Sequence, residues 1–177
     1  MIEKSNFFVF TGGPGVGKTT LLRQLESLGE LVVEESARAV IREEMAAGGD
    51  GVPWKNPERM CRLCAARDIA VFERMAGETR RVFFDRGIMD SYGANGIQPW
   101  PELEIAVAMR RYNPKVFVFP PWREIYATDA ERKQDWAEAE ATFGKIMVAL
   151  PKLGYSPVVV PIRSVKARAR FVLAQAT

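Results

Sequence analysis

Directly after Thr11 the chain reads Gly12-Gly13-Pro14-Gly15-Val16-Gly17-Lys18-Thr19-Thr20, a glycine-rich stretch closed by a lysine and two hydroxyls. The spacing satisfies G-x-x-x-x-G-K-[ST] at Gly12, Gly17, Lys18 and Thr19. Chance places this pattern in about one chain in two hundred of this length. Glycines have no Cβ, so the backbone can curl with several N–H groups turned inward, which is what a cluster of phosphate oxygens needs. A helix starting near Lys18 adds its positive end at the same point. Residues Gly12, Gly13, Pro14, Gly15, Val16 and Gly17 are therefore expected to form a cradle for the phosphates of a nucleoside triphosphate. Lys18, expected as a solvent-facing loop side chain, would reach the β and γ phosphates. The Thr19 hydroxyl would be a ligand of Mg²⁺, and Thr20 a further phosphate contact. A dinucleotide fingerprint is excluded, because Gly13 and Gly15 are followed at the required place by Lys18.

Other polar residues follow short apolar runs, where a doubly wound sheet presents its ligand site. Asp85 follows Val82-Phe83-Phe84, the position from which an aspartate holds Mg²⁺ near the threonine. Its neighbour is Arg86, where a motor ATPase would place a glutamate to activate water. Glu35 and Arg38 are three apart at a helix start and share a face. A carboxylate there can take a proton from a substrate hydroxyl, and an arginine can hold a substrate anion. Arg123 and Arg132 bracket a segment suited to close over a triphosphate and neutralise the charge of the transition state. Arg163, after the last apolar run, is a further candidate nucleotide contact.

The chain has no histidine, which removes Ser-His-Asp and Cys-His catalysis and every His-ligated metal. Its net charge is only +3, and no basic stripe or stacking motif marks a nucleic-acid surface. Two cysteines, Cys61 and Cys64, lie inside a helical pattern and read as ordinary half-buried thiols. Met1 to Asn6 shows no signal-peptide character and no apolar run is long enough for a membrane span, so a cytoplasmic setting without membrane contact is expected.

These residues need a frame to hold them. The runs Phe7–Phe10, Leu31–Val33, Val82–Phe84, Val116–Phe119 and Pro157–Val160 are near-continuously apolar, as parallel strands covered on both faces are. Helical periodicity occupies Lys18–Leu28, Ser36–Ala47, Pro57–Glu78, Glu102–Tyr112, Ala130–Leu150 and Val165–Gln175, with Gly29 as a C-terminal and Ser164 as an N-terminal punctuation. Alternating strands and helices predict an α/β fold with a doubly wound parallel sheet. With 177 residues, 47% of them hydrophobic, one P-loop nucleotide-binding domain spanning 1–177 is expected.

With those residues in view, the chain resembles the NadR-like family of small P-loop ATPases and kinases, in its predicted-ATPase branch. The resemblance rests on Gly12 to Thr19, Glu35-Ser-Ala-Arg38, Phe84-Asp85-Arg86-Gly-Ile-Met-Asp90, Arg111-Tyr-Asn-Pro, Phe119-Pro-Pro-Trp-Arg123 and Asp129-Ala-Glu-Arg132. It implies a five-stranded sheet in the order 2-3-1-4-5 with a lid after the fourth strand. It also implies that Glu35, Arg38, Arg86 and Asp90 frame a phosphate acceptor, as similar pairs do in deoxynucleoside kinases. Two functions follow. One is an ATP- and Mg²⁺-dependent phosphotransferase acting on a small hydroxylated, nucleoside-like molecule. The other is a nucleotide-binding regulatory module or slow NTPase with no acceptor. The identity of the acceptor and the oligomeric state are left open by these residues.

Overall fold

The computed structural model describes residues 1–125 and 136–177, with Asn95 described by its backbone alone. Two compact units make up the chain. One comprises Met1–Lys4, Glu34–Thr79 and Arg86–Arg111; the other comprises Ser5–Val33, Arg80–Asp85 and Tyr112–Thr177.

The second unit holds a parallel sheet of β2 (Phe7–Gly12), β3 (Leu31–Val33), β4 (Val82–Asp85), β6 (Lys115–Phe119) and β7 (Ser156–Val159), in the spatial order β3-β4-β2-β6-β7. Numbered within this sheet alone, the order is 2-3-1-4-5, as the family resemblance implies. The apolar runs form strands because each is covered. Phe8, Phe10, Phe83, Phe117 and Phe119 are fully enclosed and meet Leu21, Leu22 and Leu25 of α1 (Lys18–Ser27) and Ala169 and Val172 of α6 (Val165–Gln175). Their rings interlock, with Phe10 and Phe119 centroids 5.0 Å apart and Phe8 and Phe83 5.7 Å apart. Helix α5 (Trp136–Lys152) packs along β2, β6 and β7.

Register decides what meets at the carboxyl edge of the sheet. Phe10 pairs with Asp85 on one side and Gly12 with Phe119 on the other, so Asp85 lies beside the strand that feeds the glycine loop. Gly12 cannot be replaced there. Its φ of +143° belongs to glycine, and a Cβ would stand 2.8 Å from the Phe119 carbonyl oxygen. Arg81, at the other end of β4, is held by Glu30 and by the Ala176 carbonyl.

The first unit is built on α2 (Ser36–Ala46), α3 (Pro57–Met75), a 3₁₀ turn at Ile88–Ser91 and α4 (Pro101–Met109). Asn56 caps α3 by accepting from the Arg59 N–H at 3.0 Å, and Pro57 takes the first position, where no N–H is needed. Two helices stop earlier than their periodicity predicts. Helix α3 ends at Met75 instead of Glu78, where the Lys4 ammonium donates to the carbonyls of Ala76 and Glu78 at 2.8 and 2.9 Å. Helix α4 ends at Met109 instead of Tyr112, because β5 (Arg110–Arg111) pairs in parallel with β1 (Ile2–Glu3). Among the described residues no helix is long and apolar enough to cross a membrane.

The two neighbouring glycines at the strand end differ in what a side chain would meet. Gly12→Ala is expected to lower unfolding stability by at least about 2 kcal/mol, since both φ and the Phe119 oxygen oppose a side chain. Gly13→Ala, whose Cβ would meet nothing within 4 Å, should cost less than about 1 kcal/mol. Denaturant melts of the two variants compare them directly, and equal losses would contradict the register described.

Candidate functional site

The glycine loop leaves β2 at Gly12 and enters α1 through Gly17, which caps the helix with φ +80°. That left-handed turn is available cheaply only to glycine. Lys18 differs from its expected solvent-facing placement. It is only 7% exposed, and its ammonium donates to the carbonyls of Gly12 at 3.1 Å and Gly13 at 2.9 Å. A charge can be buried only with partners, and the loop's own oxygens supply them. Thr19 is half-buried and Thr20 exposed.

The Thr19 hydroxyl donates to the Asp85 carboxylate over 3.5 Å, and Asp85 is itself buried. Mg²⁺ prefers hard oxygen donors and keeps several waters and phosphate oxygens in its shell. A hydroxyl and a carboxylate side by side at the end of a phosphate loop fit that requirement. Arg123, exposed, stacks on Trp136 with its guanidinium 4.9 Å from the ring centroid. Arg163 is also exposed. Arg132, the other lid candidate, lies outside the described residues.

Arg86 directly follows Asp85 in the chain and is the one non-glycine residue with a positive φ, 73°, among those described. Left-handed backbone at an arginine costs of order 1 kcal/mol and persists only where side-chain contacts hold it. Here the contacts are clear. Its Nε donates to Glu35 at 2.7 Å and a terminal nitrogen to Asp90 at 3.4 Å, while Asp90 accepts the Gly87 N–H at 2.8 Å. Glu35 sits at the N-cap of α2, and Arg38, mostly exposed, approaches its second oxygen at 4.0 Å. The first unit thus brings Glu35, Arg38, Arg86 and Asp90 together, and the second unit brings Lys18, Thr19 and Asp85 together.

A family model described as AAA domain matches residues 7–168. The chain belongs to the AAA domain family. No curated protein matches it in sequence. Among solved structures this AAA domain is similar to a thymidylate kinase from Ehrlichia chaffeensis, at 18% identity over 97% of this chain and 98% of that chain, with a TM-score of 0.60. It is similar to a deoxyadenosine kinase from M. mycoides bound to its products, at 13% identity over 96% and 97%, with a TM-score of 0.59. A shikimate kinase from Acinetobacter baumannii in complex with shikimate has 15% identity over 96% and 91%, with a TM-score of 0.54. At such identities the likeness is one of fold: a parallel α/β sheet flanked by helices, of the P-loop kinase kind.

Two charged residues at these places escaped the sequence reading. Asp68 of α3 accepts the Ser36 hydroxyl at 2.5 Å, and burial pushes its carboxyl up to about 7, with Asp90 and Glu35 adding to the shift and Ser36 and Arg86 opposing it. Arg168 of α6 is buried and donates to the Val16 carbonyl at 3.1 Å. Both interrupt apolar helical stripes, Cys61-Ala65-Asp68-Phe72 and Val165-Arg168-Ala169-Val172. A charge on such a stripe was the available signal. The cysteines of α3 behave as ordinary helical thiols: burial pushes Cys64 up to about 12 and raises Cys61.

The Asp68 shift has a stability consequence of definite sign. The folded chain holds the Asp68 proton up to about 7 and the unfolded chain only to the ordinary value of 3.8, so between these pH values the folded state binds more protons. Stability from this group therefore falls as pH rises through that window. The Tm of Asp68→Asn minus that of wild type should grow from pH 5 to pH 8. A difference that does not change with pH would show that Asp68 is ionised in the folded chain throughout.

Proposed function

We propose that this chain is an ATP- and Mg²⁺-dependent phosphotransferase whose acceptor is a small hydroxylated molecule of nucleoside-like character, working in the cytoplasm. The observation that carries the reading is the residue after Asp85. It is Arg86, tied to Glu35 and Asp90, where a hydrolase that activates water would need a free carboxylate.

In this reading the amides of Gly13 to Thr19 take the phosphate oxygens of ATP, and Lys18 moves from the Gly12 and Gly13 carbonyls to the β and γ phosphates. Thr19 and Asp85 would hold Mg²⁺, which would supply neutralisation of charge on the phosphates. Glu35 accepts the proton of the acceptor hydroxyl as its oxygen bonds to the γ-phosphorus and the bond to the β-bridging oxygen breaks, releasing ADP. Arg86 holds Glu35 in place, while Arg38 and Asp90 are polar contacts for the rest of the acceptor. Arg123 and Arg132 serve the transferring phosphoryl group, and Arg163 serves the nucleotide. Phosphoryl transfer asks little covalent work of the protein, so positioning and charge carry the catalysis. The nucleoside and shikimate kinases that share the fold, and the sequence resemblance to the NadR-like family, support an acceptor of this class.

Acceptor-dependent ADP formation tests the proposal. Across a panel of nucleosides and small polyols, at least one compound should raise ADP formation about tenfold or more above the rate with ATP alone. An unchanged rate with every member would favour a slow NTPase or a binding module. Asp85→Asn should lose Mg²⁺-dependent turnover by about a hundredfold or more while metal-free nucleotide affinity changes by less than about threefold. Superimposed Mg²⁺ titrations of the two proteins would reduce Asp85 to a strand-end carboxylate.

A further inference from the structure

Arg168 is 4% exposed, yet its guanidinium is only partly satisfied. One terminal nitrogen donates to the Val16 carbonyl at 3.1 Å, the buried Nε has no hydrogen-bond partner, and no carboxylate among the described residues pairs with it. The rings of Phe119 and Trp122 face its charge, with centroids 4.9 and 5.5 Å from the guanidinium carbon. Aromatic faces repay a buried cation only in part. A buried guanidinium left short of an anion needs an explanation, because arginine does not escape the cost by losing its proton.

Its position supplies one. The Val16 carbonyl and the Gly17 N–H belong to one peptide, and the described chain contains no cis peptide bond. In a planar trans peptide the two point in opposite directions. A guanidinium fixed on the Val16 oxygen therefore fixes the Gly17 N–H on the other side of the peptide. The same side chain lies close over the turn: a Cβ at Gly17 would stand 2.8 Å from the second terminal nitrogen of Arg168 and would displace the guanidinium.

We propose that Arg168 is a positioning residue of the phosphate loop, setting the direction of the Gly17 amide through the Val16 carbonyl and leaving a buried positive charge that bound polyphosphate completes. This rests on the loop binding phosphate, as in the proposed function, and adds a residue of the last helix to it. Lys18 and Arg168 are both buried at the loop, and Asp85 is the buried carboxylate beside Thr19. Among the described residues, the buried groups at the loop carry more positive than negative charge. Removing the guanidinium should then relieve the ligand-free fold while weakening the anion complex, two effects of opposite sign that a packing role does not produce.

Inorganic tripolyphosphate with Mg²⁺ is a suitable probe, since it tests the loop without a base or an acceptor. Calorimetric titrations and thermal melts would compare wild type with Arg168→Met, Arg168→Lys and Lys18→Ala. Arg168→Met is expected to melt, free of ligand, at or above the wild-type Tm and to bind tripolyphosphate about tenfold or more weakly. Arg168→Lys, which keeps the charge without the planar fork, should show a smaller loss of affinity. Wild-type affinity in Arg168→Met overturns the inference while a weakened Lys18→Ala leaves the loop assignment standing. A lowered ligand-free Tm with equal loss of affinity in both Arg168 variants also overturns it, as the mark of a packing residue. Should Arg168→Met fail to fold, Arg168→Lys decides: reduced affinity at an unchanged Tm supports the inference and wild-type affinity ends it. Wild-type affinity in Lys18→Ala would instead remove the phosphate-loop reading, and this inference with it.

Discussion

Two buried cations against one turn of backbone set the demands on the parallel sheet. Lys18 and Arg168 both lie out of water against the loop that joins β2 to α1, and the loop's carbonyls are what hold them there. Such charges are costly to bury, so the elements that carry them must be rigid. The phenylalanine layer supplies the rigidity: Phe10 and Phe119 anchor the two strands that flank the loop, and the apolar faces of α1 and α6 lie against the same layer. The loop cannot relax without disturbing the core beneath it.

The residue pair Asp85-Arg86 marks a division of labour. Asp85 is the last residue of its strand, buried and within reach of Thr19. One residue later the backbone turns into a left-handed conformation at Arg86, stabilised by charge-assisted bonds to Glu35 and Asp90. A carboxylate held by a guanidinium keeps one orientation, which the proposed transfer to an acceptor requires of its base.

Much of this was legible in the residues. The five strands follow from apolar runs without polar interruption, and α6 begins and ends where its periodicity places it, at Val165 and Gln175. The loop and Asp85 were legible because their chemistry is local: glycines, a lysine and a hydroxyl in fixed spacing, and an acid after a run of apolar residues. What escaped depends on partners distant in sequence. Helix α3 stops at Met75 because Lys4 takes carbonyls beyond it, and Arg110–Arg111 leaves the helix to pair with Ile2–Glu3. Asp68 and Arg168 interrupt apolar stripes, but the partners that define their roles, Ser36 and the Val16 carbonyl, are distant in sequence. Lys18 reads as a loop lysine facing solvent, and the carbonyls of Gly12 and Gly13 that hold it are placed by the fold of the loop.

A crystal structure with a non-hydrolysable ATP analogue and Mg²⁺ would decide whether the β2–α1 loop seats a triphosphate with the metal between Thr19 and Asp85, as proposed. The expected result is phosphate oxygens on the amides of Gly13 to Thr19, the Lys18 ammonium moved from the Gly12 and Gly13 carbonyls to the β and γ phosphates, and the metal bound by Thr19 beside Asp85. An analogue bound elsewhere, with Lys18 still on its own loop and Asp85 remote from the metal, would contradict it.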